Sequence, residues 1–218
     1  MLIDPIDKVI LKKHIINKNH AVKVIKHYLT HNAYTEFYSV NDYFIQQDQQ
    51  DKITKIHTHI LQRKPQIVKS LIAEAQKQEI VKIMPIAKDE SDKKRLILLF
   101  DRFKNDLTLS WGVHPIALPH QFGIITAKNI SKKEGALQII NSLNIKPNEV
   151  LGVGDSTSDW QFIEMCGYGA AMGNASQELK DLVLSKGKKF SYIGPSVDEN
   201  GIIPILQHFL NMSLRGLR

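Results

Sequence analysis

The stretch Glu149–Asp159 reads EVLGVGDSTSD and decides the fold of the second half of the chain. Its first six residues form a short, mostly apolar run of the kind that makes a strand buried in a parallel sheet. Five residues with short polar side chains follow at once, and such residues favour turns and helix caps. The stretch therefore predicts a buried strand that ends at Asp155, in a turn that leads into a helix.

The sequence on both sides of this stretch alternates between amphipathic helices and short apolar strands. Ser131 and Glu134 have the spacing of a capping box, in which each side chain satisfies a free backbone donor at a helix start. The pattern predicts helices over 131–143, 160–166 and 177–184, and strands over 149–154, 168–172 and 190–193. This alternation is typical of the α/β class, with a doubly wound parallel sheet.

The first half of the chain has a looser pattern. Apolar spacing predicts helices over 22–29, 53–61, 67–78 and 93–104, and alternation predicts strands over 80–86 and 107–113. Trp111–Phe122 contains two prolines and is interpreted as an extended crossover. We therefore expect an α+β domain over residues 1–122 and part of an α/β core over residues 123–218.

The positive charge of the chain is concentrated in its first half. The net charge is +7, and residues 1–120 hold 19 basic and 13 acidic residues, whereas residues 121–218 hold 10 and 9. A basic half indicates a solvated face, an anionic substrate or a nucleic-acid surface. The lysines are scattered, and the aromatic content of 7% offers no platform on which bases would stack. A solvated face is therefore favoured, and nucleic acid is not expected as a partner.

The composition places the chain among ordinary globular proteins. With 43% hydrophobic and 23% charged residues, it is too apolar for a disordered chain and lacks the bias of a fibrous one. The single cysteine, Cys166, excludes an internal disulfide and is expected to be a core residue. We find no basic-then-apolar leader and no apolar run near the roughly 20 residues of a membrane span. A cytoplasmic protein is therefore expected, with no membrane partner and with an oligomeric state that no pattern indicates.

Two aspartates four residues apart, Asp155 and Asp159, lie where the central predicted strand ends. Ligands of open parallel sheets bind at the carboxyl ends of strands, because loops and helix N-termini meet there. Mg²⁺ prefers one or two carboxylates together with water and phosphate oxygens. The pair therefore predicts a Mg²⁺ site, and the alternative is that both side chains only cap the next helix. Lys133, at the preceding helix start, is either solvated or a cation that neutralises a transferring phosphoryl group.

Three motifs, in this order, resemble those of the haloacid dehalogenase-like hydrolases, and among them the Cof-type sugar phosphatases. They read SKKEGAL over Ser131–Leu137, VGDSTSD over Val153–Asp159 and AMGNA over Ala171–Ala175. The resemblance covers roughly residues 125–210. By position alone, it implies that the first half is the cap domain inserted in that group.

The resemblance implies a Mg²⁺-dependent phosphomonoester hydrolase that acts on a small phosphorylated substrate such as a sugar phosphate. Lys133 would be the motif lysine that stabilises charge on the phosphoryl group. Asp155 would be the direct metal ligand, and Asp159 would support the metal through water or by orientation. Asn174 would line the site near the phosphate.

Two details of these motifs bear on the site. Lys133 is preferred to Lys132 because it stands four residues before Leu137, as the family lysine does before its helix leucine. Ser158 stands where the group usually has Asn, and its hydroxyl still donates and accepts hydrogen bonds. The assignment of site residues by resemblance to the family motifs therefore does not depend on Ser158.

The sequence lacks the nucleophile motif of the family, an apolar strand followed by Asp-x-Asp-Gly-Thr. The opening LIDPID over Leu2–Asp7 has two aspartates at a different spacing and no Gly-Thr turn. Without an attacking carboxylate, the covalent step has no nucleophile. We expect either a fragment of a longer hydrolase or a natural remnant. The alternative function is a non-catalytic protein that binds phosphate or a partner, including nucleic acid through the basic half.

His57 and His59 form a second candidate metal pair. They are two residues apart in a predicted helix, so their side chains point to different faces. Both are therefore interpreted as surface histidines.

Overall fold

The computed structural model describes residues 2–3, 7, 9–128 and 130–215, with the backbone alone at 2–3 and 212–215. The chain divides into two compact units, Met1–Ile130 and Ser131–Arg218. No helix in the described part of the chain is long and apolar enough to cross a membrane.

The first unit contains eight strands and four helices among its described residues. The strands are β1 (Leu2–Ile3), β2 (Ile10–Lys12), β3 (Tyr34–Tyr38), β4 (Tyr43–Gln46), β5 (Gln66–Val68), β6 (Lys82–Ala87), β7 (Leu107–Val113) and β8 (Gln121–Ala127). The helices are α1 (Lys18–Thr30), α2 (Lys52–Leu61), α3 (Leu71–Ala75) and α4 (Glu90–Phe100). Strands β3 to β8 form one sheet in the order β5-β4-β3-β6-β8-β7, antiparallel except between β4 and β5. Strands β1 and β2 pair separately.

Helices cover both faces of this sheet. Helix α1 buries Ala21, Val24, Ile25 and Tyr28, whose spacing makes one apolar stripe. This stripe shares a core cluster with α3, α4 and one face of the strands. Side chains of α2 pack with Met84, Ile86 and Phe122 in a second cluster. Met84 and Ile86 alternate with Ile83 and Ala87 of the first cluster along β6, so α2 lies on the opposite face.

The second unit is built around a parallel sheet, as the sequence predicts. The described strands β9 (Leu151–Gly154), β10 (Tyr168–Ala171) and β11 (Ser191–Ile193) pair in the order β11-β10-β9. The helices are α5 (Lys132–Ser142), α6 (Trp160–Ile163), α7 (Gln177–Leu184) and α8 (Ile202–Arg215). Ile163, Leu179 and Val183 pack against Ala171 in its core. The α/β class is therefore confirmed.

The structure departs from the predictions mainly in the first unit. The predicted helix over 67–78 is wrong in its first part, where β5 precedes the short α3. The predicted crossover Trp111–Phe122 is also wrong, because β7 and β8 form an antiparallel hairpin. Residue 122, the predicted domain boundary, lies inside β8, and the contacts divide the chain between Ile130 and Ser131. The roles of the two units as cap and core stay predictions.

Two glycines of the second unit give opposite expectations for stability. A Cβ on Gly167 would lie 1.9 Å from the carbonyl oxygen of Asn148, whereas one on Gly135, inside α5, meets nothing within 4 Å. We expect Gly167→Ala to lower the free energy of unfolding by about 2 kcal/mol, since backbone must move. Gly135→Ala should raise it by about 0.5–1 kcal/mol. Urea unfolding of both variants measures the difference, and equal effects would contradict the packing described.

Candidate functional site at the carboxyl edge of the parallel sheet

The turn after β9 is organised by Asp159. Its Oδ2 accepts hydrogen bonds from the backbone N–H of Asp155 at 3.0 Å and of Ser156 at 3.1 Å. Asp159 is almost fully buried, against Gly154. A Cβ on Gly154 would lie 2.4 Å from the Asp159 Cβ, so only glycine lets this carboxylate sit under the strand end. Asp159 therefore fixes the backbone that carries Asp155. Its side chain takes part in a capping box with Ser156, so the capping alternative fits Asp159, whereas the Asp155 side chain caps nothing among the described residues.

The second oxygen of Asp159 is paired with Lys132. Lys132 Nζ donates to Asp159 Oδ1, and its side chain is about half exposed. Ser131 caps α5 by accepting from the Glu134 N–H at 3.1 Å, which makes Lys132 the first helical residue. Lys133 is exposed and makes no hydrogen bond or ion pair with the described residues. The structure thus pairs Lys132 with Asp159 and shows no such bond for Lys133 among the described residues, and the role of Lys133 stays a prediction.

The carboxylate of Asp159 stays ionised. Burial raises its pKa, but hydrogen bonds from Lys132 and from the Ser156 and Asp155 backbone outweigh this effect and hold the pKa below its ordinary value. The Lys132 ammonium therefore always faces a negative partner near neutral pH.

This lowered pKa predicts a pH dependence of stability. A carboxylate whose pKa is lower in the folded than in the unfolded chain stabilises the fold above the unfolded pKa, about 3.9. That stabilisation is lost as the pH falls below about 4 and through the folded pKa. We expect the free energy of unfolding to fall more steeply with decreasing pH in the unchanged protein than in Asp159→Asn. Identical pH profiles in urea unfolding would contradict this role.

Asp155 has an exposed carboxylate at the carboxyl edge of the parallel sheet. It follows β9 directly and is exposed, and its side chain accepts no hydrogen bond and forms no ion pair within the described residues. Its backbone carbonyl accepts from the Ser176 N–H at 3.2 Å, which joins the turns after β9 and β10. No group of three or more His, Cys, Asp or Glu among the described residues could hold a metal.

The donor set fits Mg²⁺ with one direct protein ligand. Asp155 offers two free carboxylate oxygens, and Mg²⁺ commonly takes one or two carboxylates with water and substrate phosphate. Both oxygens of Asp159 already accept from Lys132 and from the backbone of Asp155 and Ser156, so Asp155 is the carboxylate of the pair that is open to an ion.

Asn174 lies in the turn after β10, at the same edge of the sheet. Its Oδ1 accepts from the backbone N–H of Val197 at 2.9 Å, which ties this turn to the one after β11. The residue is exposed. Thr157, which the sequence did not single out, links the turns further by bonding Ser176 at 3.1 Å and Glu178 at 3.0 Å.

Burial tests the interpretation of two residues that lie away from this edge, His57 and Cys166. His57 is buried, with Nδ1 3.0 Å from a carboxylate oxygen of Glu36, so its interpretation as a surface histidine is wrong, while His59 is exposed as expected. Cys166 is buried as predicted, and burial raises the pKa of its thiol more than Lys186 lowers it. A raised pKa makes the thiol a poor nucleophile.

Comparisons with known proteins agree with this architecture. A sequence profile described as haloacid dehalogenase-like hydrolase matches residues 1–206. Phosphatase YwpJ of Bacillus subtilis is 29% identical over 122 residues, which are 52% of this chain and 40% of that protein. The stress response protein YhaX of Bacillus subtilis is 30% identical over 91 residues, which are 42% of this chain and 29% of that one. The chain thus spans less than half the length of these curated relatives.

Solved structures share the fold. A haloacid dehalogenase-like hydrolase from Bacteroides thetaiotaomicron superposes with a TM-score of 0.78 at 15% identity, over 95% of this chain and 72% of that one. A sugar phosphatase of haloacid dehalogenase subclass IIB gives 0.66 at 22% identity, over 90% of this chain and 68% of that one. At identities this low, the superpositions show a shared fold and nothing about function. The profile match over 206 of 218 residues shows that the chain belongs to the haloacid dehalogenase-like hydrolase family.

Proposed function

We propose that the chain carries the metal- and phosphate-binding edge of a Mg²⁺-dependent phosphomonoester hydrolase for a small phosphorylated metabolite, such as a sugar phosphate. One observation carries the proposal. Asp155, directly after β9, carries a carboxylate with no bond among the described residues, and Lys132, the first residue of α5, pairs with the buried Asp159 of the same turn. Ligands of such sheets bind at this edge.

Each side chain would have a distinct part. Asp155 would hold the Mg²⁺, which when bound neutralises charge on the phosphoryl oxygens. Lys132 would donate to a phosphoryl oxygen and stabilise the charge that builds up during transfer. Asp159 is a positioning residue, because it accepts from the Lys132 ammonium and holds the turn of Asp155. Asn174 would keep its amide nitrogen available to the phosphate while its oxygen binds Val197.

The covalent step that the family resemblance implies needs an attacking aspartate. Its carboxylate oxygen would form a bond to phosphorus as the ester oxygen leaves with the bonding pair and takes a proton, and water would then release inorganic phosphate. Asp4 and Asp7 are the carboxylates of the opening segment to test for this role, and Asp4 lies outside the described residues.

The substrate class rests on the relatives. YwpJ is named a phosphatase, and a relative from Sulfolobus acidocaldarius, 32% identical over 98 residues (45% of this chain, 37% of that one), is a phosphoglycolate phosphatase. Both names are those of phosphatases, and the second names a small phosphate ester as the substrate of that protein. A cytoplasmic location remains part of the proposal and agrees with the single cysteine.

Phosphate release tests this function. The full chain is incubated with an aryl phosphate and a panel of sugar phosphates, with Mg²⁺ or with EDTA. We expect release with Mg²⁺ and none with EDTA. No release by the folded protein would overturn hydrolysis by this chain, and salt-sensitive binding of nucleic acid would then support the non-catalytic alternative.

A further inference from the structure

The first unit contains a cavity of about 380 Å³ beside the end of α2, within the size range of small-molecule sites. A row of three side chains on neighbouring strands lines it. Tyr43 of β4 pairs in register with Tyr38 of β3, which pairs with Lys82 of β6, so the three share one face of the sheet. Leu61 and Val81 add apolar wall.

None of the described carboxylates forms an ion pair with the Lys82 ammonium. Its Nζ lies 3.8 Å from the centre of the Tyr38 ring, and it makes no hydrogen bond or ion pair with the described residues. Burial lowers the pKa of Lys82, and the negative charge of Glu36 raises it in part. A partly buried ammonium that lies over an aromatic ring and bonds none of the described carboxylates would gain from an anion beside it.

Two other charged residues that line the cavity pair with each other and not with Lys82. Asp42 is its only acidic lining residue among those described, and its Oδ1 accepts from Arg63 Nη2 at 2.8 Å. Arg63 also donates to the Asn41 carbonyl. Because Arg63 and Asp42 pair with each other, Lys82 is the lining cation whose ammonium bonds none of the described carboxylates.

The aromatic side of the cavity is rigid. The rings of Tyr38 and Tyr43 stack with centres 5.2 Å apart. The Tyr38 hydroxyl donates to the buried Glu36 at 3.0 Å, and the Tyr43 hydroxyl donates to the Arg63 carbonyl at 2.8 Å. Tyr43 is almost fully buried and Tyr38 is partly exposed, so the cavity offers the open part of Tyr38, held in place next to a cation before any ligand arrives. A ring that is already fixed lowers the ordering cost of binding.

We propose that this cavity binds a small organic anion, whose carboxylate or phosphate group pairs with Lys82 and whose apolar ring contacts Tyr38, Leu61 and Val81. The site goes beyond the proposed hydrolysis, because it requires neither Mg²⁺ nor a reaction. Its residues all belong to the first unit, whereas Asp155, Lys132 and Asp159 belong to the second.

The test uses phenylphosphonate, whose carbon–phosphorus bond the proposed hydrolysis does not cleave. Binding to the full chain is measured by calorimetry in EDTA, with methylphosphonate as the anion without a ring and benzyl alcohol as the ring without a charge. We expect phenylphosphonate to bind more tightly than either. Lys82→Met should weaken it about tenfold or more through loss of the charge-assisted contact, and Lys133→Met should leave it unchanged.

Three results would overturn the site. They are no binding of phenylphosphonate, equal binding by Lys82→Met, and a loss of binding in Lys132→Met, which would place the ligand in the second unit. If Lys82→Met does not fold, the amide chemical shifts of the unchanged protein, measured with and without phenylphosphonate, show where the ligand binds. We expect phenylphosphonate to shift residues 38–43 and 81–82, and shifts confined to residues 131–215 would contradict the proposal.

Discussion

Replacing Lys132 by methionine is expected to lower Mg²⁺-dependent phosphate release about 100-fold or more, the scale seen when one donor to a developing oxyanion is removed. Lys132 is the lysine whose ammonium Asp159 holds at the strand edge. Methionine keeps most of the side-chain length and removes the charge. Lys133→Met is the matched control, because its side chain contacts none of the described acceptors, and it should leave the rate nearly unchanged.

Comparing the two variants also decides between the structure and the motif alignment. A large loss in Lys133→Met with little change in Lys132→Met would show that the spacing to Leu137 identifies the lysine and that the pair with Asp159 is structural. Circular dichroism and the midpoint of urea unfolding show that both variants are folded at the assay temperature.

Replacing Glu36 by leucine is expected to lower the free energy of unfolding of the first unit by about 3–5 kcal/mol, the range for breaking a buried pair from one side. Glu36 is fully buried and accepts from Tyr38 at 3.0 Å and Tyr34 at 3.2 Å, with His57 Nδ1 within 3.0 Å. Burial and the charge of Glu36 raise the pKa of both tyrosines, so their hydroxyls keep the protons they donate. The variant leaves these donors without their acceptor.

The double variant Glu36→Leu with His57→Leu separates this cause from simple loss of packing. Removing both partners leaves fewer buried polar groups unpaired, so we expect it to be more stable than Glu36→Leu alone. A double variant that loses the sum of the two single effects would contradict a direct interaction between Glu36 and His57. Both measurements use urea unfolding followed by tyrosine and tryptophan fluorescence.

The second unit is predictable from sequence because its signals are local. Short apolar runs such as Leu151–Gly154 are followed at once by turn and cap residues, and these set strand ends without distant partners. The alternation with helices then implies parallel strands, and parallel strands bring Asp155 and Asn174 to one edge.

The remaining features depend on contacts between distant residues. Strand β3 contains the buried polar residues Thr35 and Glu36, and Glu36 is satisfied by His57, 21 residues away. No local apolar alternation marks such a strand. The choice between Lys132 and Lys133 depends on which ammonium reaches Asp159, 27 residues from Lys132, since adjacent residues on a helix point about 100° apart.

The most direct test of the proposed site is a Mg²⁺ titration of the full chain and of Asp155→Asn, followed by amide chemical shifts. We expect shifts centred on residues 154–159 in the unchanged protein, because Asp155 carries the free carboxylate of this edge. Asp155→Asn should lose them while the rest of its spectrum is kept. Shifts of the same size in Asp155→Asn, or shifts located away from this turn, would contradict a magnesium site at the carboxyl edge of the parallel sheet.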